Sequence, residues 1–172
     1  ADECGALNDW LEIAPKAEAM CSICAAEVNV HDFASRPPRA LADGETFSTG
    51  DRRWRFLQTP QVPHAWDAGH LFEEGLRLLL CSDLLNHQGD VAPLTEGDVV
   101  GPMKDMLLSY TDTPFADYFP YTATTGAHLQ RLADLEPDLC ATMHGATYCG
   151  DGRKALEDSG IMLREAFGPG AR

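Results

Sequence analysis

Apolar residues recur along this chain with two different periods. Leu7, Trp10, Leu11 and Ala14 fall at helical spacing within residues 5–14, and Pro15 follows as a stop, so the pattern predicts a short amphipathic helix. Glu18–Cys21 reads as a brief buried strand, and Ser22 as the cap of a second short helix through Ala25, Ala26 and Val28. Beyond the Pro37-Pro38 break, Gly44 and Gly50 mark turns, and Trp54–Leu57 alternates like a half-buried strand. Leu71–Gly75 and Leu76–Cys81 predict a hairpin, with Asp83 just past its end. The polar stretch 84–101 is long for a connection in a compact domain, which marks it as a functional loop. Residues 115–136 carry a mainly helical pattern through Leu129, Leu132 and Leu135, ended by Pro137. Leu139–Met143 reads as a buried strand delivering His144-Gly145, and a last helix, about 153–167, carries Leu156, Ile161, Leu163 and Phe167. Alternating helices and strands predict an α/β fold, and 172 residues with 44% hydrophobic content suit one domain over residues 1–172.

Charge narrows the partners. Thirteen Lys and Arg against 27 Asp and Glu leave a formal net charge of −14, which repels a phosphate backbone and an anionic membrane face. No apolar run reaches the roughly 20 residues of a membrane span, and no secretory leader pattern opens the chain. Neither nucleic acid nor membrane is an expected partner, and a cytoplasmic location is expected. Of six cysteines, Cys81 and Cys140 sit in apolar runs, where a free thiol packs as a small hydrophobe. Cys21 and Cys24 have C-x-x-C spacing, but no second pair completes a zinc site.

Three metal-binding side-chain types stand where strand-like runs give way to loops: His64, Asp83 and His144. Strand ends gather functional groups because their loops can converge over a rigid sheet. Imidazole and carboxylate suit zinc, iron and manganese, and a carboxylate can bridge two cations, a role for which Asp83 has the right identity. The other histidines read as structural or solvated, His70 as a strand residue, His128 as an exposed helix residue, and His87 as a loop residue near the site. Trp66, Asp67 and Tyr148 lie close in sequence to His64 or His144 and read first as loop packing residues.

The order and intervals of His64, Asp83 and His144 resemble the metallo-β-lactamase superfamily, in particular flavodiiron proteins and oxygen-binding diiron proteins. Leu11–Ala17 (LEIAPKA) and Ala42–Gly50 (ADGETFSTG) are similar to further segments of that family. The resemblance implies a four-layer αβ/βα sandwich whose first strands would precede Ala1. The family's first metal motif, His-x-Glu-x-Asp-His, matches only at its end, in Ala1-Asp2-Glu3. Asp2 then corresponds to a ligand of the second metal, and Glu3 stands where the family has its second His. The implied metal ligands are therefore Asp2, Glu3, His64, Asp83 and His144, with Asp83 also the catalytic carboxylate. The implied function is a two-iron protein that binds or reduces dioxygen or nitric oxide. No flavin site is expected within the chain, so electrons would come from a partner protein or an absent domain, and a homodimer is expected. Two alternatives stay open: a dizinc hydrolase of esters, thioesters or amides, and a non-catalytic sensor or scaffold.

Overall fold

A computed structural model describes residues 4–171. The helices are α1 (Leu7–Ile13), α2 (Ile23–Ala25), α3 (His31–Phe33), α4 (Val100–Ser109), α5 (Thr125–Ala133) and α6 (Gly152–Phe167). A wide helical turn, Ala26–Val30, joins α2 to α3. The strands are β1 (Met20–Ser22), β2 (Arg39–Leu41), β3 (Thr46–Thr49), β4 (Arg52–Gln58), β5 (Gly69–Glu73), β6 (Leu78–Leu80), β7 (Leu94–Thr95), β8 (Leu139–Ala141) and β9 (Thr147–Cys149). β1 and β2 form a small parallel sheet, and the rest form one sheet in the order β3-β4-β5-β6-β8-β9-β7. The result is the expected mixed α/β architecture.

Direction within the large sheet decides where the site can be. β4 and β6 each pair antiparallel with β5, and β8 pairs parallel with β6. β4, β6 and β8 therefore run the same way, and their C-terminal ends emerge along one edge. His64 follows β4, Asp83 follows β6 and His144 follows β8, so the topology alone brings the three residues to that edge.

The core explains why the sheet is rigid there. Leu57, Phe72, Leu79, Cys81 and Cys140 from the strand region join Met103 and Leu107 of α4, Leu129 and Leu132 of α5, and Leu156 and Leu163 of α6 in one apolar cluster. Cys81 and Cys140 are the packing thiols that the apolar runs predict. The Leu71–Cys81 hairpin forms with Leu71 opposite Leu80. Ser22 caps α2, its hydroxyl accepting from the Ala25 N–H at 3.0 Å.

Some expectations change. Of the predicted buried face of α1 only Leu11 is buried, while Trp10 is 66% exposed; Ile161 on α6 is likewise on the surface. Residues 115–124 are turns rather than helix, because Pro114 and Pro120 disfavour helical backbone at the residue before each. Helix begins only at Thr125, whose hydroxyl accepts from the Thr122 N–H at 2.8 Å. The apparent loop at 84–101 ends in α4, hidden in the sequence by Gly101-Pro102. Proline is tolerated there because it lies in the first turn, and Asp98 accepts from the N–H groups of Val100 and Gly101 at 2.9 and 3.1 Å.

Leu79, fully buried on β6 between β5 and β8, tests this core. Leu79→Ala is expected to cost about 2–5 kcal/mol by urea unfolding, whereas Trp10→Ala should stay within about 0.5 kcal/mol. His70 gives a second test. Burial, with a small contribution from His128, pushes its ring down to about 4, from the ~6.5 of an exposed imidazole. The unfolded chain takes up a proton that the folded chain refuses. This contribution is therefore complete above about pH 6.5 and is lost, to the extent of about 3 kcal/mol, as pH falls toward 4. Urea midpoints measured down that window should fall more steeply for the natural protein than for His70→Phe.

Candidate functional site

His64 sits in a tight loop between β4 and β5. The Val62-Pro63 peptide bond is cis, and Gln61 and Ala65 adopt positive φ of 65° and 68°. The loop is closed by its own backbone, with the Gln61 N–H donating to Ala65 O and the Val62 N–H to Thr59 O, each at 2.8 Å. Its imidazole Nε2 lies 2.8 Å from Asp83 Oδ2.

Asp83 is carried by a turn immediately after β6, in which the Leu84 N–H donates to Cys81 O at 2.9 Å. Its side chain is 5% exposed. Burial raises the energy of the charged form, but hydrogen bonds from His64, Asn86 and the Tyr118 hydroxyl outweigh it and hold the carboxyl below the usual carboxylate range. Oδ1 accepts from Asn86 Nδ2 at 2.7 Å and lies 3.8 Å from His144 Nε2. Each oxygen of the carboxylate therefore faces a different imidazole.

His144 is more exposed, and its backbone fixes it. The His144 N–H donates to Asn86 Oδ1 at 3.2 Å, and His144 O accepts from the His87 N–H at 3.2 Å. Gly145 follows with φ of 114°, and a Cβ there would lie 2.6 Å from the His87 ring. His87 itself is locked. Its Nε2 accepts from the Ala146 N–H at 2.9 Å, which makes Nδ1 the nitrogen available to donate to Leu85 O at 3.0 Å. Both ring nitrogens are thus used in holding the His144 loop.

The structure brings His64, Asp83 and His144 near one another, but sequence reasoning missed what organises them. Asn86 binds Asp83 Oδ1 through its amide nitrogen, while its oxygen takes both the Thr142 hydroxyl, at 2.5 Å, and the His144 N–H. Tyr118 stacks at 4.9 Å between centroids against the His64 ring and reaches the Asp83 carboxylate with its hydroxyl. The three-residue step from Asp83 to Asn86, favourable for a side-chain contact within one turn, was a signal in the sequence; Tyr118, on a remote loop, left none.

Asp2 and Glu3 lie outside the described residues. Trp66 is 69% exposed, and Tyr148 lines a separate surface depression with Asp98 and Lys154. Instead Tyr110, Phe115, Met106 and Met143 wall a cavity of about 660 Å³ that opens onto His144. All six cysteines are free. Burial, then Asp67 and Cys4, push the Cys21 thiol up, the reverse of an activated thiolate.

Two imidazole nitrogens and a carboxylate suit iron or zinc, and a carboxylate with one oxygen toward each imidazole has the disposition of a bridge. Among the described residues, no group of three or more His, Cys, Asp or Glu is gathered closely enough to hold an ion by itself. The set fits as part of a larger one.

No known family profile and no curated protein matches the chain. Solved structures do. The rubredoxin oxygen:oxidoreductase of Desulfovibrio gigas aligns with a TM-score of 0.70 and 15% identity over 93% of this chain and 41% of that one. A mutant flavo di-iron protein from Thermotoga maritima gives 0.68 and 18% over 91% and 38%. The chemotaxis sensor ODP, in a structure described as a peroxy diiron species, gives 0.66 and 17% over 91% and 64%. The fold is thus metallo-β-lactamase-like, shared with flavodiiron proteins and this sensor. The chain spans about two fifths of the first two proteins and just under two thirds of the sensor. Among the described residues no helix is long and apolar enough to cross a membrane.

Asn86→Ala would strand Asp83 Oδ1, the Thr142 hydroxyl and the His144 N–H together. It is expected to destabilise the protein by about 1–3 kcal/mol in urea unfolding, with Asn86→Asp also destabilising because it sets a second carboxylate against Asp83.

Proposed function

We propose that this protein belongs to the non-haem diiron type and binds or reduces dioxygen or nitric oxide. In this reading His64 would hold one metal position, His144 with Asp2 and Glu3 the other, and Asp83 would serve both. The observation that carries it is the division of the Asp83 carboxylate, with Oδ2 at 2.8 Å from His64 Nε2 and Oδ1 at 3.8 Å from His144 Nε2. The fold likeness to diiron proteins supports iron over other metals at such a donor set.

Two ferrous ions, when bound, supply both the electrons and the attachment point for a diatomic substrate. The chain's own residues hold the geometry. Asn86 fixes Oδ1, so the carboxylate plane cannot rotate away from His144. Tyr118 restrains both sides of the His64–Asp83 pair, through its ring and its hydroxyl. Such outer partners orient ligands and raise metal affinity. The cavity walled by Met106, Tyr110, Phe115 and Met143 opens onto His144 and gives a small molecule access through a lining of mixed polarity.

In this reading electrons reach the site from a partner protein or from a further domain. With a net charge of −14, this surface favours a donor with a basic docking face. The same reading makes the protein a cytoplasmic homodimer.

Anaerobic loading of the full-length protein with ferrous iron, followed by addition of nitric oxide, tests the proposal. Iron uptake and a change in the visible spectrum are expected, with uptake weakened about tenfold or more in Asp83→Ala. Equal iron uptake by both proteins would defeat the reading. Preferential zinc retention with ester hydrolysis lost in Asp83→Ala would replace it with the hydrolase.

A further inference from the structure

His70 lies on β5, between β4 and β6, the strands that deliver His64 and Asp83. Its side chain is wholly buried in a region where packing alone would be served by leucine or phenylalanine. One nitrogen, Nδ1, is 3.0 Å from the Thr59 hydroxyl, and that hydroxyl is 2.9 Å from Val62 O. A carbonyl can only accept, so the single hydroxyl proton goes to Val62 O and His70 Nδ1–H donates to Thr59. Thr59 also anchors the base of the His64 loop through its own backbone, its N–H donating to Ala68 O at 3.0 Å and its carbonyl accepting from the Val62 N–H at 2.8 Å.

The other nitrogen, Nε2, is left bare in the neutral ring. Among the described residues it is the one buried side-chain nitrogen or oxygen with no hydrogen-bond partner. Buried polar atoms are nearly always satisfied, so an exception of this kind calls for a reason beyond packing.

We infer that His70 is a positioning residue that holds the loop carrying His64 through Thr59 and Val62, and so fixes where the His64 ring meets Asp83. In the alternative tautomer the Thr59 proton turns toward the ring, Val62 O loses its donor, and the hold on the His64 loop is released.

The metal part of the test rests on the diiron reading, whereas the positioning itself is read without metal. In proton–nitrogen correlation spectra of the metal-free natural chain, the His64 ring nitrogens report the contact with Asp83. His70→Phe, which fills the space but removes both nitrogens, is expected to shift those signals toward an unpaired ring while circular dichroism stays native. His70→Gln, which keeps a donor and an acceptor, should restore them. Cobalt(II) affinity is expected to fall about 10–100-fold in His70→Phe and to recover in His70→Gln. Should His70→Phe fail to fold, Thr59→Val cuts the ring from the loop with little change of shape and is expected to give the same His64 shift. Unchanged His64 signals in a folded His70→Phe or Thr59→Val overturn the inference. If the natural chain binds no cobalt(II) while the His64 signals still move, the metal reading fails and the role of His70 stands.

Discussion

A carboxylate withdrawn from water must be answered by donors, and the Asp83 carboxylate sets that demand for this molecule. An ion buried without partners would protonate or pull its turn back toward solvent. Here the donors come from three separate stretches of chain: His64 from the loop after β4, Asn86 from the segment after β6, and Tyr118 from the loop before α5. Meeting the demand of one side chain thereby pins three loops to a single point. Asn86 extends the arrangement to a fourth stretch, since its oxygen takes the Thr142 hydroxyl and the His144 N–H.

The sheet makes this convergence inexpensive. Parallel pairing of β6 with β8, and a single reversed strand between β4 and β6, bring the three loop starts to one edge before any side chain interacts. Helices α4, α5 and α6 then hold the strands through leucine and methionine packing well removed from the polar groups. The division of labour is clear in the residues: apolar side chains fix where the strand ends are, and polar ones fix how the loops close over them.

Much of this could be read from the sequence. Asp83 and His144 stand out because buried strands leave short hydrophobic stretches with a polar residue near their boundary, whereas His64 follows a half-buried, alternating strand. The Leu71–Cys81 hairpin, the Ser22 cap and the last helix followed from local chemistry. Residues whose roles depend on distant partners could not be found this way. Tyr118 lies in a stretch whose apolar spacing suggested helix, although its prolines prevent one. Asn86 looked like one more polar residue in a polar loop. Trp10 and Ile161 kept helical periodicity yet face outward, since periodicity gives the face of a helix without saying what lies opposite. Trp66 and Tyr148, both read first as packing residues, divide: Tyr148 packs against the core, whereas Trp66 is exposed.

Gly145 has a consequence for how such a site can vary. Its backbone takes a conformation that side chains of ordinary handedness rarely adopt, and the space a Cβ would enter is filled by the His87 ring. The two obstacles are independent, one local to the peptide and one imposed by a residue far away in sequence. Relaxing either alone changes nothing. A side chain at position 145 would need both a changed backbone and a displaced His87 ring, so glycine there is what lets the His144 loop close against His87.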